Sequence, residues 1–225
     1  MIGNSHKKWY GFEYEEKLHL VTISKPFYIG KYEVTQSQYV ALMGKNPSKF
    51  ICANNPVESV TYDDAKNFCE NLNLKYLNVL PQGYKFDLPT EAQWEYACRA
   101  GTNTALNNGK NLTTSDGVCP NLDEVAWYDK NASATTHIVG QKKPNNWGIY
   151  DMHGNVWELC LDLYGEYPNE KAKDPKGANT GTDRVTRGGG CNFIAIGCRS
   201  ALRYHNDPKS YDQFVGFRVA LVPIE

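Results

Sequence analysis

RGGGCNFIAIGCRSALRYHNDPKSYDQFVGFR, residues 187–218, is the stretch on which the reading of this chain turns. A triple glycine opens it, and four arginines frame it: Arg187, Arg199, Arg203 and Arg218. Between them stand Phe193, Ile194, Ile196, Leu202, Tyr204, Tyr211 and Phe214. A regular helix repeats its apolar residues every ~3.6 positions and a half-buried strand every ~2. Neither period is sustained here, and Gly197, Asn206, Asp207 and Pro208 punctuate the run as loop. A long aromatic-rich loop held between fixed elements is either a binding surface or a set of residues that completes the core. Spacing alone leaves both readings open.

Composition narrows the class. With 225 residues, the chain has the length of one large irregular domain or two small ones. A formal net charge of -1 gives no electrostatic reason for a nucleic-acid or anionic-membrane partner. Fifteen tyrosines and 19 glycines in a chain of weak helical periodicity predict a loop-rich, packed fold and argue against disorder. No apolar run approaches the ~18 residues of a membrane-spanning helix. The first residues, MIGNSHKKWYG, lack the apolar core of a signal peptide. None of the seven cysteines forms a CxxC pair, which argues against a zinc ribbon.

Local signals place the elements. Residues 18–23 and 27–29 read as short strands. Thr35 with Gln38, Thr61 with Asp64, and Thr90 with Gln93 are capping signals that open three helices. The first runs to about Met43. The second buries Ala65, Phe68, Cys69 and Leu72, and the third buries Trp94, Ala97 and Cys98. Residues 102–123 read as polar loop, 156–159 and 185–187 as strands, 165–183 as solvent-facing, and 217–222 as one final strand. No fixed-period repeat occurs. His137, His153 and His205 show no ligand spacing, and His153 reads as a turn residue. Gly188, Gly189 and Gly190 precede no helix and read as close backbone packing.

Seven motifs occur in order: EVTQSQY (33–39), NPVESVTYDDAKNFC (55–69), LPTEAQWEYACRAG (88–101), NNWGIYDMHGNVWEL (145–159), RVTRGG (184–189), CRSALR (198–203) and VGFRVA (215–220). Together they resemble the sulfatase-modifying-factor family, the home of formylglycine-generating enzyme. The resemblance covers nearly the whole chain. It implies an α+β, C-type-lectin-like fold, loop-rich with few short helices and strands, formed as a single domain over residues 1–225.

Fold does not fix function. The family's enzyme binds copper through a cysteine pair between its Arg-Gly-Gly and Cys-Ala/Ser-Ala-x-Arg motifs. The spacing between Gly190 and Cys198 is too short for that insert, and Cys198 matches the later, structural cysteine. The resemblance therefore implies no copper and no catalytic thiol pair. The alternative is a copper-dependent oxidase of protein cysteine that uses Cys191 and Cys198. The family also implies a Cys98–Cys198 disulfide if the chain is exported, and leaves Cys69 an inert buried thiol.

Segment 190–214 itself resembles the variable region of diversity-generating retroelement proteins, in which adenines of Asn codons are randomised. Cys191, Asn192, Phe193, Ile194, Ile196, Gly197, Leu202, Tyr204, His205, Asn206, Asp207, Ser210, Tyr211, Asp212 and Phe214 are all reachable from such codons. Lys209 and Gln213 are not, and are read as fixed. These fifteen are the expected ligand-binding residues, with Tyr and Phe as anchors and Asn, Ser and Asp as adaptable contacts. The expected ligand is a protein or cell-surface molecule. The chain is expected to be monomeric, exported and surface-displayed, with its signal or anchor lying elsewhere. Asp151, Gly154, Val156 and Glu158 match a structural Ca²⁺ site of the family's enzyme, since hard oxygen donors suit that ion. The other reading is a plain turn with Glu158 bonded to backbone.

Overall fold

A computed structural model describes residues 18–167 and 171–224. The N-terminal reading of residues 1–11 lies outside them. The elements run β1 (Val21–Thr22), β2 (Tyr28–Ile29), α1 (Gln36–Met43), α2 (Tyr62–Lys75), β3 (Tyr84–Asp87), α3 (Glu91–Arg99), α4 (Pro120–Asp123), β4 (Ala126–Trp127) and β5 (His153–Gly154). They continue as β6 (Trp157–Leu163), β7 (Ala172–Lys173), β8 (Arg184–Arg187), β9 (Arg203–Asn206), β10 (Val215–Gly216) and β11 (Ala220–Pro223). A 3₁₀ turn, Ala195–Cys198, lies between β8 and β9. The result is the expected α+β, loop-rich architecture.

All three expected helices start at their capping boxes. The hydroxyls of Thr35, Thr61 and Thr90 accept from the third helical N–H, while the side chains of Gln38, Asp64 and Gln93 return the bond. Each such cap contributes about 1 kcal/mol. Gly44 ends α1 in the left-handed region at φ 78°, where its missing Cβ removes the steric penalty.

The strands β10-β6-β8-β9 form one sheet, and β2-β11-β3 form a second. In the first, β10 runs parallel to β6, and the other pairs are antiparallel. β6 is buried on both faces. Trp157 and Leu159 join the cluster of Tyr62, Phe68 and Phe217, while Cys160 joins Trp94, Ala97 and Met152 on the α3 side. Cover on both sides extends this strand to Leu163, beyond the short strand expected at 156–159.

Three expectations change. The final strand, expected over 217–222, starts only at Ala220, because the chain crosses from one sheet to the other between Gly216 and Ala220. The loop 102–123 ends in a helical turn, α4, with Pro120 at its first position. Within 191–214, expected to hold no regular element, Arg203–Asn206 pairs with β8: Arg203 with Arg187, Tyr204 with Thr186, His205 with Val185 and Asn206 with Arg184.

A candidate ligand-binding face

The segment after β8 begins with a turn only glycine can make. Gly188 and Gly189 have φ of 94° and 81°, and a Cβ on Gly189 would lie 2.6 Å from Cys198 Sγ. This close packing is the reading the triple glycine received from the sequence.

From there the chain is tied down mainly through its backbone. The N–H of Cys191 donates to the Asn155 carbonyl, and that of Ile196 to Ser115. Ser200 N–H donates to Ala105 O at 2.8 Å. Carbonyls of the segment serve the scaffold in return. Phe193 O accepts from Asp129 N–H, Pro208 O from Tyr62, Asp212 O from Ser59 and Phe214 O from Trp157.

The four framing arginines lie inside. Arg187 is fully buried and donates to the carbonyls of Ser200, Ala201 and Leu202 while pairing with the buried carboxylate of Glu95. Arg203 grips both oxygens of Glu91 at 2.8 Å. Arg199 Nε donates to Ile196 O. Pairing and carbonyl bonds are the form in which arginine tolerates burial, although Arg187 Nε, 3.7 Å from Glu91 Oε1, makes no hydrogen bond.

Of the fifteen expected ligand-binding residues, Asn192, Tyr204, His205, Asp207 and Tyr211 are exposed. Phe193, Ile194, Asn206, Ser210, Asp212 and Phe214 are half-buried. Cys191, Ile196, Gly197 and Leu202 are buried and take the core reading instead, since a side chain without solvent contact cannot meet a partner. Lys209 is exposed, and Gln213 bonds to Lys49.

The exposed part rests on an aromatic floor. Trp157 packs against Phe193, with ring centroids 5.3 Å apart, and against Tyr204 at 5.2 Å. His205 lies against Tyr164 and pairs through Nδ1 with Asp183 at 2.6 Å. Phe50 meets Phe214. Trp157, Tyr164, Asp183 and Phe50 lie outside the segment, and sequence reasoning missed them. The register that brings β8 beside β9 was the missing signal. Tyr211 is 70 % exposed.

The calcium expectation does not fit this donor set. Both Glu158 oxygens are taken: Arg218 donates to each at 2.6 Å, and Trp94 Nε1 donates to Oε2 at 2.7 Å. The same guanidinium collects the carbonyls of Gly30, Tyr150 and Asp151. Arg218 thus occupies the cationic role, and a divalent ion would have to displace it. Asp151 bonds to Gly140 N–H, and burial pushes its carboxyl up to about 6. The backbone at Gly154 and Asn155 is the left-handed turn of the other reading, with φ of 73° and 62°, although Glu158 bonds to the Arg218 and Trp94 side chains where that reading had it bonded to backbone. Among the described residues, no three His, Cys, Asp or Glu side chains gather in a metal-holding group.

The cysteines show no activated thiol pair. All seven are free. Burial pushes Cys191 up to about 12 and Cys198 further. The expected Cys98–Cys198 bridge is not formed. Cys98 Sγ instead contacts Met152 O and His153 Nε2, whose ring bonds through Nδ1 to Cys198 O. His153 is fully buried, and desolvation holds it down at about 4, so it is a neutral packing group. Cys69 is buried and pushed up to about 12, as its inert reading requires.

A rigid scaffold under an aromatic, loop-built face defines a class of protein, and comparison supplies the family. Residues 3–222 match the sulfatase-modifying factor enzyme 1-like domain, and the chain belongs to that family. It is similar to Treponema denticola variable protein 1, with a TM-score of 0.83 and 31% identity over 95% of this chain and 90% of that one. The chaperone protein LppX of Paenibacillus barcinonensis is 36% identical over 76% of this chain and 70% of its own length. The formylglycine-generating enzyme of Mus musculus is 31% identical over 75% of this chain but only 44% of the enzyme.

Proposed function

We propose that the chain is a non-catalytic, one-domain binding protein, displayed outside the cell, whose 190–214 face holds a protein ligand. The carrying observation is how the segment is anchored. Its ties to the scaffold run largely through main-chain N–H and C=O groups and through arginines that bond backbone carbonyls. Such bonds do not depend on which side chains point outward, so the outward residues can change without loosening the loops. Similarity to a variable protein supports the same reading. An oxidase would need an accessible thiolate, and burial at Cys191 and Cys198 opposes one.

Sequencing sister copies of the gene tests the proposal. Differences should concentrate at Asn192, Tyr204, His205, Asp207 and Tyr211, extend to the half-buried positions, and spare Cys191, Ile196, Gly197 and Leu202. A template-like copy of the segment should lie beside a reverse transcriptase gene. An invariant segment without such a copy overturns the diversified reading.

A further inference from the structure

We infer that the ligand presents an extended segment that adds to β9 as a fifth strand of the β10-β6-β8-β9 sheet. The inference rests on the reading of 190–214 as a binding face and names what that face takes. β9 is an edge strand: its one partner among the described residues is β8. No loop or turn backbone among the described residues bonds to Tyr204, His205 or Asn206.

The direction of the free groups follows from one bond. Tyr164 N–H donates to Asp183 O at 2.8 Å, next to the Leu163–Arg184 pair. In an antiparallel ladder that bond turns the N–H and C=O of Val185 toward β6, and those of Arg184 and Thr186 toward β9. Their partners, Asn206 and Tyr204, therefore bond inward to β8. Arg203 and His205 carry their backbone donors and acceptors on the outer edge.

Natural edges are guarded by shortness, charged side chains, proline or a bulge; β9 is short, and its one charged side chain, Arg203, is turned to Glu91. β9 reads Arg-Tyr-His-Asn, in unbroken register with β8 over all four residues. Tyr204 and His205 flank the free edge with exposed aromatic rings. An extended backbone is the chemistry that satisfies alternating donors and acceptors, and side chains on alternate positions can then be read by the surrounding loops. Main-chain pairing would give affinity that does not depend on the variable residues, leaving those residues to set specificity.

The probe is a set of peptides selected from a random-peptide display library against the whole chain. His205→Pro removes the outward N–H, at a position where an edge strand tolerates proline, and His205→Ala keeps it. Selected peptides should bind the wild type, and should bind His205→Pro about three- to tenfold more weakly than His205→Ala, which removes the same ring but keeps the N–H, the loss of one backbone hydrogen bond. N-methylation of the peptides should abolish binding at alternate positions only. If His205→Pro does not fold, the N-methyl series on the wild type carries the test alone. Binding unchanged by both modifications, or a library that yields no binder, overturns the strand. Loss on Tyr204→Ala and Tyr211→Ala without loss on His205→Pro leaves the face standing and removes only the strand.

Discussion

The ring of Phe193 lies over Gly197 so closely that a Cβ on Gly197 would sit 2.0 Å from Phe193 Cδ1. The two positions are therefore coupled, although both are reachable by the same codon changes. Gly197→Ala forces the ring aside and should cost about 1–3 kcal/mol, as overpacking does. In a Phe193→Ala background the same substitution should cost little. A double-mutant cycle in urea measures this, and additive costs would remove the coupling.

Arg187 separates scaffold from display. Its guanidinium is buried against Glu95 and holds three successive carbonyls at Ser200, Ala201 and Leu202. Arg187→Met takes one guanidinium partner from Glu95, which keeps Arg99 at 2.8 Å, and orphans three carbonyls; it should cost about 3–5 kcal/mol. Arg187→Lys should not restore it, because an ammonium lacks the planar fork. Tyr211→Ala, at an exposed ring, should change stability by about 0.5 kcal/mol or less. Equal losses at Arg187 and Tyr211 in chemical denaturation would contradict this division of labour.

Local chemistry made the helices legible. Thr35, Thr61 and Thr90 each sit three residues before a side chain that closes the capping box, and nothing distant is needed to read that. The four arginines of the segment were visible as a frame, and all four prove to be buried. What the sequence could not supply was non-local. Ile196 and Leu202 look like Phe193 and Tyr204 on paper. Only the fold decides that Ala195 and Cys198 pack into the cluster of Leu106, Leu122 and Tyr128 while Tyr204 faces out. The surroundings of Glu158 were illegible for the same reason. Its partner Arg218 is distant in the chain and arrives through the crossing between the two sheets.

Asp162 gives the protein a pH dependence opposite to that of an ordinary paired carboxylate. Burial, and then the nearby Glu91 carboxylate, push it up to about 8, with Arg203 and Arg187 pulling the other way. Its Oδ2 accepts from Glu91 N–H at 2.8 Å. Between the ordinary value of 3.8 and about 8, the folded protein keeps a proton that the unfolded chain releases. Stability contributed by this group therefore falls as pH rises through that window and levels off above it. Asp162→Asn should flatten that fall and raise stability above about pH 8. Urea midpoints across the range measure the effect, and an unchanged slope in the variant would show that other groups set it.

Thiol reactivity distinguishes a scaffold from an oxidase directly. Cys52 is half-buried, whereas Cys69, Cys98, Cys119, Cys160, Cys191 and Cys198 are buried. Burial raises the thiols of Cys69, Cys98, Cys160, Cys191 and Cys198, which keeps them protonated near neutrality. Cys119 is the exception. Burial opposes its ionisation, but the Thr113 hydroxyl and N–H, with further backbone donors, lower it overall. Its side chain has no solvent contact, so a shifted thiol there still meets no reagent in the native state. A native-state titration with a thiol reagent should therefore label one cysteine rapidly, Cys52, and the rest only after unfolding. Rapid labelling of Cys191 or Cys198, or protection of either by added copper(I), would reinstate the oxidase reading.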